Sequence, residues 1–396
     1  LILNLPQWGF KVIPSIDRNY LLRTLQDLIR IDSINPALVP GGAGEVEIAQ
    51  YVGQACRALG LPTEILAAQP LRPSVVARLT GTGAGKELML NAHLDTVGVA
   101  GMAAPFPAEL RDGRVYGRGA YDMKGSLAAC LAAMQALVEA GANLAGDLIL
   151  TVVADEEYAS QGTAEVLQHY RADGAIVTEP TELKLCLAHK GFVWLEVETF
   201  GRAAHGSRWQ EGIDANMHMG RFLAELEKLE SELRRWPGHP LTRPPSLHAA
   251  WLQGGTGWST YAANCRLQIE RRTIPGESTA QVIAEIAAIS ARVSQQHDAF
   301  RARLGTVLSR DPFEVSPQAE LAVILTEAAT RALGQPPERI GVPFWMDSAL
   351  LAAAGIETVV IGPVGAGAHA EVEWVDLQSL IDLAQILVHA ALAYCR

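Results

Sequence analysis

The stretch DLILTVVADEEYAS, residues 147–160, decides how the chain is read. Its apolar run, DLILTVVA, reads as a strand, and three acids, Asp155, Glu156 and Glu157, stand where that strand ends. Neighbouring acids repel, so their gathering at a strand's end calls for a cause. Outward from it, SVVARL (74–79), ELMLNA (87–92) and GAIVT (174–178) also read as short apolar strands. Between them lie helical patterns: VEIAQYVGQACRALG (46–60), the small-residue run SLAACLAAMQALVEAG (126–141) and TAEVLQHYRA (163–172). An earlier helix is spaced over NYLLRTLQDLIRI (19–31). This alternation predicts an α/β domain with a mostly parallel sheet.

The pattern changes near Lys190. FVWLEVETFG (192–201) alternates like a half-buried strand, and NMHMGRFLAELEKLESELRR (216–235) is an amphipathic helix. Strands over 246–254 and 265–274, a helix over 278–293 and a last strand over 299–308 follow. The order β-α-β-β-α-β is that of a ferredoxin-like unit. After Pro312 the α/β style resumes. The expected division is therefore a catalytic domain over 1–188 and 309–396, with an inserted α+β domain over 189–308.

Composition narrows the function. The 396 residues fit two or three domains. With 49% hydrophobic and 19% charged residues, a large core is expected. A net charge of −11 argues against nucleic-acid partners and anionic membranes. The five cysteines, Cys56, Cys130, Cys186, Cys265 and Cys395, form no CxxC pair and read as reduced core thiols of a cytoplasmic protein. No continuous apolar run is long enough to span a membrane. The opening LILNLPQWGFKVIPSIDRNY lacks a basic start and is broken by Pro6 and Pro14, so it does not read as a signal peptide. GTGAGKEL (81–88) evokes a phosphate loop, but it precedes a strand and lacks the hydroxyl residue after Lys86; it reads as a turn.

In open α/β sheets, sites form beyond the carboxyl ends of strands. The polar residues at those ends are His93 and Asp95, Asp122, the 155–157 acids, Glu179 and His369. Each alone has an ordinary reading as a cap, turn or loop residue; together they converge on one edge. Two histidines with several carboxylates suit Zn²⁺, with Co²⁺ or Mn²⁺ possible, and the count fits two ions about 3.5–4 Å apart sharing one carboxylate. The spacing His93-x-Asp95 offers a partner that holds the imidazole tautomer.

HLDTV, YDMKG, DEE followed by GT, TEPT, GRAAHGS and the late AHAEVEWV, in that order, resemble the M20 di-zinc peptidases and N-acyl-amino-acid deacylases over nearly the whole chain. DEEYAS and AHKGFVW look most like the acetylornithine deacetylase and desuccinylase branch. The resemblance implies that His93 and Glu179 hold one metal, Glu157 and His369 the other, and Asp122 both. It implies Glu156 as the general base of a metal-activated water, Asp95 as the residue orienting His93, and a cis peptide between Asp122 and Met123. His205 resembles a lid histidine that reaches a partner subunit's site, and Arg272 resembles an arginine that binds the substrate carboxylate. The implied partners are an N-acyl amino acid or short peptide and a second copy of the chain, paired through the insert. A carboxypeptidase or dipeptidase of the same group is the alternative, and a catalytically silent binding member a remote one. STYAANC, with Ser259, and FWMDSAL depart from the usual pattern; Phe344 and Trp345 imply a reshaped pocket, and Asp347 before Ser348 reads as a helix N-cap.

Overall fold

A computed structural model describes residues 13–396. Most of the opening segment, whose reading as something other than a signal peptide is given above, lies outside the described residues. The chain forms two compact units. One comprises residues up to Leu187 with Val315–Ile340 and Met346–Arg396; the other comprises Ala188–Glu314 with Gly341–Trp345.

The first unit is built on a sheet in the order Thr63–Leu66, Ser74–Leu79, Leu148–Val153, Leu88–His93, Gly174–Val177, Glu357–Val360, Leu185–His189. The middle four strands are parallel. The flanks are antiparallel, so the sheet is mixed and not mostly parallel as expected. The physical reason is connection length. A parallel return needs a crossover of a dozen or more residues, and the links from Leu66 to Ser74, from Leu79 to Leu88 and from Val177 to Leu185 are too short for one, so each reverses the chain. The parallel centre sets the site. His93 pairs with Val153 and Asn91 with Val177, so the chain leaves these three strands at one edge, toward His93, the 155–157 acids and Glu179.

Helix Gly125–Glu139 is buried from Gly125 through Leu137, which its alanine-rich composition permits by letting backbones approach closely. It packs on helix Leu377–Tyr394, which in turn packs on Glu320–Leu333. By length and mean hydropathy Leu377–Tyr394 could cross a membrane, but 72% of it is buried within the protein, the signature of a core helix. A small second sheet, Gly365–Ala366, Trp374–Asp376, Arg114–Tyr116 and Glu109–Arg111, packs through Trp374–Asp376 against the turn that carries Asp122. All five cysteines are buried and none forms a disulfide.

The second unit has an antiparallel sheet in the order Ser246–Gly254, Asn264–Thr273, Gly191–Phe200, Ala302–Arg310. Period-two burial of Cys265, Leu267, Ile269 and Arg271 directs one face to the helices Ala215–Arg235 and Thr279–Gln296. Asp214 accepts main-chain N–H bonds at the first helix start, and Ser278 with Gln281 forms a capping box at the second. Their core includes Val197, Phe222, Leu226, Leu267, Ile286 and Phe300. Ser246–Gly254 is an edge strand with Trp251 and Leu252 exposed.

Candidate metal centre and active site

His93 closes its strand and is buried. Its Nδ1 lies 2.9 Å from the main-chain carbonyl of Asp95. A carbonyl can only accept, so Nδ1 carries a proton and Nε2 is the nitrogen directed outward. Nε2 lies 3.1 Å from Asp122 Oδ1 and 3.7 Å from Glu179 Oε1. On the other side, His369 Nε2 lies 3.3 Å from Asp122 Oδ2 and 3.0 Å from Glu157 Oε2. Two groups that could each hold a metal ion result, the triads His93–Asp122–Glu179 and Asp122–Glu157–His369, with Asp122 common to both. The Asp122–Met123 peptide is cis. His369 sits at φ +62, on the loop between Ala366 and Trp374.

The acids outnumber the bases. Asp122, Glu156, Glu157 and Glu179 face two imidazoles. Burial, then the charges of Glu179, Asp347 and Glu157, push the Glu156 carboxyl well above its usual range. Burial and Asp122 push Glu157 up to about 7. Burial pulls His93 down, but its bond to Asp122 and the charges of Glu179 and Asp95 hold it well above the ordinary value. Hydrogen bonds to Asp122 and Glu157 raise His369 to about 10. Among the described residues, Glu157 Oε1 is buried with no hydrogen-bond partner. Each triad offers nitrogen and oxygen donors and an excess of negative charge, which is the chemistry a divalent cation requires, so the donor set fits two such ions.

The remaining acids have separate places. Glu156 belongs to neither triad. The Asp95 carboxylate lies 3.7 Å from His93 Nδ1, farther than its own main-chain carbonyl. It accepts the main-chain N–H groups of Glu156 and Glu157 at 3.1 and 3.2 Å and the Asn35 amide at 2.8 Å. Asp155 is buried at φ +67; it accepts from Arg72 at 2.8 Å and Asn35 at 3.0 Å, and Arg72 also forks onto Glu45. Asn35, Glu45 and Arg72 escaped the sequence reading, since nothing local marks them as neighbours of the acids. Asp347 is a correction. Its side chain makes no cap bond; it is buried and accepts from Thr163 Oγ1.

His205 and Arg272 belong to the second unit. His205 is exposed on a loop bridged to Thr260, with Nδ1 2.8 Å from Ser207 Oγ. Arg272 is partly exposed, ion-paired with Glu270 at 2.7 Å and set over the Phe192 ring. Its neighbour Arg271 is fully buried against Glu277 and Glu285, so the strand splits the two arginines between its faces. Trp345 packs edge-on to His189 and Phe192, and its indole donates to the Asp311 carbonyl at 3.1 Å.

Residues 89–393 match Peptidase family M20/M25/M40, and the chain belongs to that family. It is a hydrolase acting on amide bonds. It is 31% identical over 330 residues to an acetylornithine deacetylase of Myxococcus xanthus, covering 81% of this chain and 84% of that protein. It is 27% identical over 420 residues to the N-formyl-4-amino-5-aminomethyl-2-methylpyrimidine deformylase of Halalkalibacterium halodurans, covering 97% of each. The fold matches the crystal structure of the Bacillus subtilis YXEP protein, a dinuclear metal binding peptidase of the M20 family, at TM-score 0.74 and 17% identity, over 95% of this chain and 98% of that one.

Proposed function

We propose that the protein is a di-zinc amidohydrolase that releases an amino acid from its N-acyl derivative, as acetylornithine deacetylases and desuccinylases do. Co²⁺ and Mn²⁺ suit the same donors. The observation that supports this most is Asp122, whose Oδ1 faces His93 at 3.1 Å and whose Oδ2 faces His369 at 3.3 Å, the posture of a bridging ligand. In this reading His93 and Glu179 hold one ion, Glu157 and His369 the other. Two divalent ions held by these residues would supply a water acidified toward neutral pH and a polarised amide oxygen.

The protein's own groups do the rest. Glu156, outside both triads, takes the proton from the attacking water and returns it to the leaving nitrogen as the carbon–nitrogen bond breaks. The Asp95 carboxylate holds the main chain of the loop bearing Glu156 and Glu157, and its carbonyl fixes the His93 tautomer. Residues 189–308 act as a ferredoxin-like lid and dimerisation domain whose open edge strand pairs with a second copy. His205, on its exposed loop, reaches the partner's site, and Arg272 binds the substrate carboxylate. Five cysteines outside any disulfide are in keeping with a reducing, cytoplasmic setting.

Assay of a panel of N-acetyl, N-succinyl and N-formyl amino acids, dipeptides and tripeptides tests the substrate class. Preferential turnover of the N-acyl amino acids is expected. Turnover confined to peptides favours the carboxypeptidase or dipeptidase alternative, and turnover of none of them contradicts the proposal.

A further inference from the structure

Arg118 and Glu373 are opposite charges buried to 2% and 1% exposure, and no step of the hydrolysis described above uses them. Glu373 Oε2 accepts from Arg118 Nη1 at 2.6 Å and from the Gly119 main-chain N–H at 2.9 Å. Its Oε1 accepts the N–H groups of Tyr121 at 2.9 Å and Asp122 at 3.0 Å. One carboxylate thus collects three main-chain donors from the turn that carries Asp122. Arg118 closes the other end: Nη2 donates to the Ala370 carbonyl at 2.9 Å, next to His369, and Nε to the Gly98 carbonyl at 3.1 Å. The chains on either side are already paired, Trp374 with Tyr116, and Gly117 N–H donates to the Glu373 carbonyl.

We infer that Arg118 and Glu373 form a positioning clamp that sets the direction of the Asp122 carboxylate and its separation from His369. The inference rests on the two-metal reading of the site. Desolvating two charges is costly and a buried pair is weak grounds for stability alone. This pair lies where it ties the loops of two ligands together, at the main-chain N–H of Asp122 and the carbonyl beside His369. Outer partners of this kind typically change metal affinity 10–100-fold when altered.

The clamp also predicts an asymmetry. Of the two side chains only Arg118 bonds the main chain beside His369, at the Ala370 carbonyl, so Arg118→Lys, which keeps the charge but loses the fork, acts on the Glu157–His369 ion and spares the His93–Glu179 ion. Glu373 holds Asp122, which serves both, so Glu373→Asp weakens both. The experiment is a Co²⁺ titration of the metal-stripped full chain, followed by visible absorbance, beside the melting temperature of each metal-free variant. Expected are two Co²⁺ per wild-type chain, one tight and one at least about tenfold weaker ion in Arg118→Lys, and two weakened ions in Glu373→Asp, with metal-free melting close to wild type. If Glu373→Asp does not fold, Arg118→Lys decides. Wild-type affinity for both ions in the folded variants overturns the clamp and leaves the metal reading standing. A wild-type chain that takes up no Co²⁺ overturns both.

Discussion

Asp155, Glu156 and Glu157 are consecutive and yet have three different surroundings. Asp155 turns inward at φ +67 to Arg72 and Asn35, Glu157 joins His369 and Asp122, and Glu156 stays outside both triads. The repulsion that marked the run in the sequence is relieved by partners on separate segments. Replacing Glu156 by Gln should lower turnover by about 10²–10⁴-fold while leaving metal content unchanged, as measured by single-turnover kinetics and elemental analysis. Replacing Arg72 by Met leaves Glu45 and Asp155 buried without their counter-charge and should cost about 3–5 kcal/mol in a denaturant titration. The acids were legible in the sequence because each follows an apolar strand whose end the sheet brings to one edge. Arg72 was not, because its partner lies 83 residues away and nothing in LRPSVV marks the pairing.

Strands and helices were legible in kind, and their directions less so. Apolar runs and small-residue helices marked the α/β layers, but a run such as SVVARL has the same composition whichever way its neighbour points. Connection length carried the missing information: links too short for a crossover force the antiparallel flanks. Asp347 shows the limit of local patterns in another way, since Asp-Ser before a helix has the form of a cap while the buried side chain turns to Thr163. In the second unit, helix Ala215–Arg235 carries His218, whose ring packs against Phe300 and meets the Phe200 carbonyl at 3.1 Å. Burial lowers its pKa from the ordinary 6.5, with Arg221 and His297 acting in the same sense and the Phe200 carbonyl and Asp214 opposing. The folded unit therefore binds fewer protons than the unfolded chain between the depressed value and 6.5. Stability is retained above that window and falls as pH drops through it. Urea midpoints measured from neutral to mildly acid pH should decline in the wild type and decline less in His218→Gln.

The whole molecule has a mixed-sheet unit with a metal-type donor set and an antiparallel unit whose edge strand has no further neighbour among the described residues. If the second unit pairs two copies and His205 works across that pairing, mixing inactive Glu156→Gln and His205→Ala chains should restore activity through mixed dimers. Sedimentation should report a dimer, and a fully active monomer would contradict the pairing. The order of motifs was legible along the chain, whereas the acyl group was not, because pocket shape depends on residues such as Phe344 and Trp345 whose effect no spacing encodes. The central claim is that hydrolysis depends on two divalent ions held through Asp122. Its most direct measurement is metal-stripping followed by titration with Zn²⁺ or Co²⁺ while amide hydrolysis is assayed. The expected result is activity lost on stripping and regained in full at two ions per chain; turnover that persists without bound metal, or a chain that binds neither ion, would contradict it.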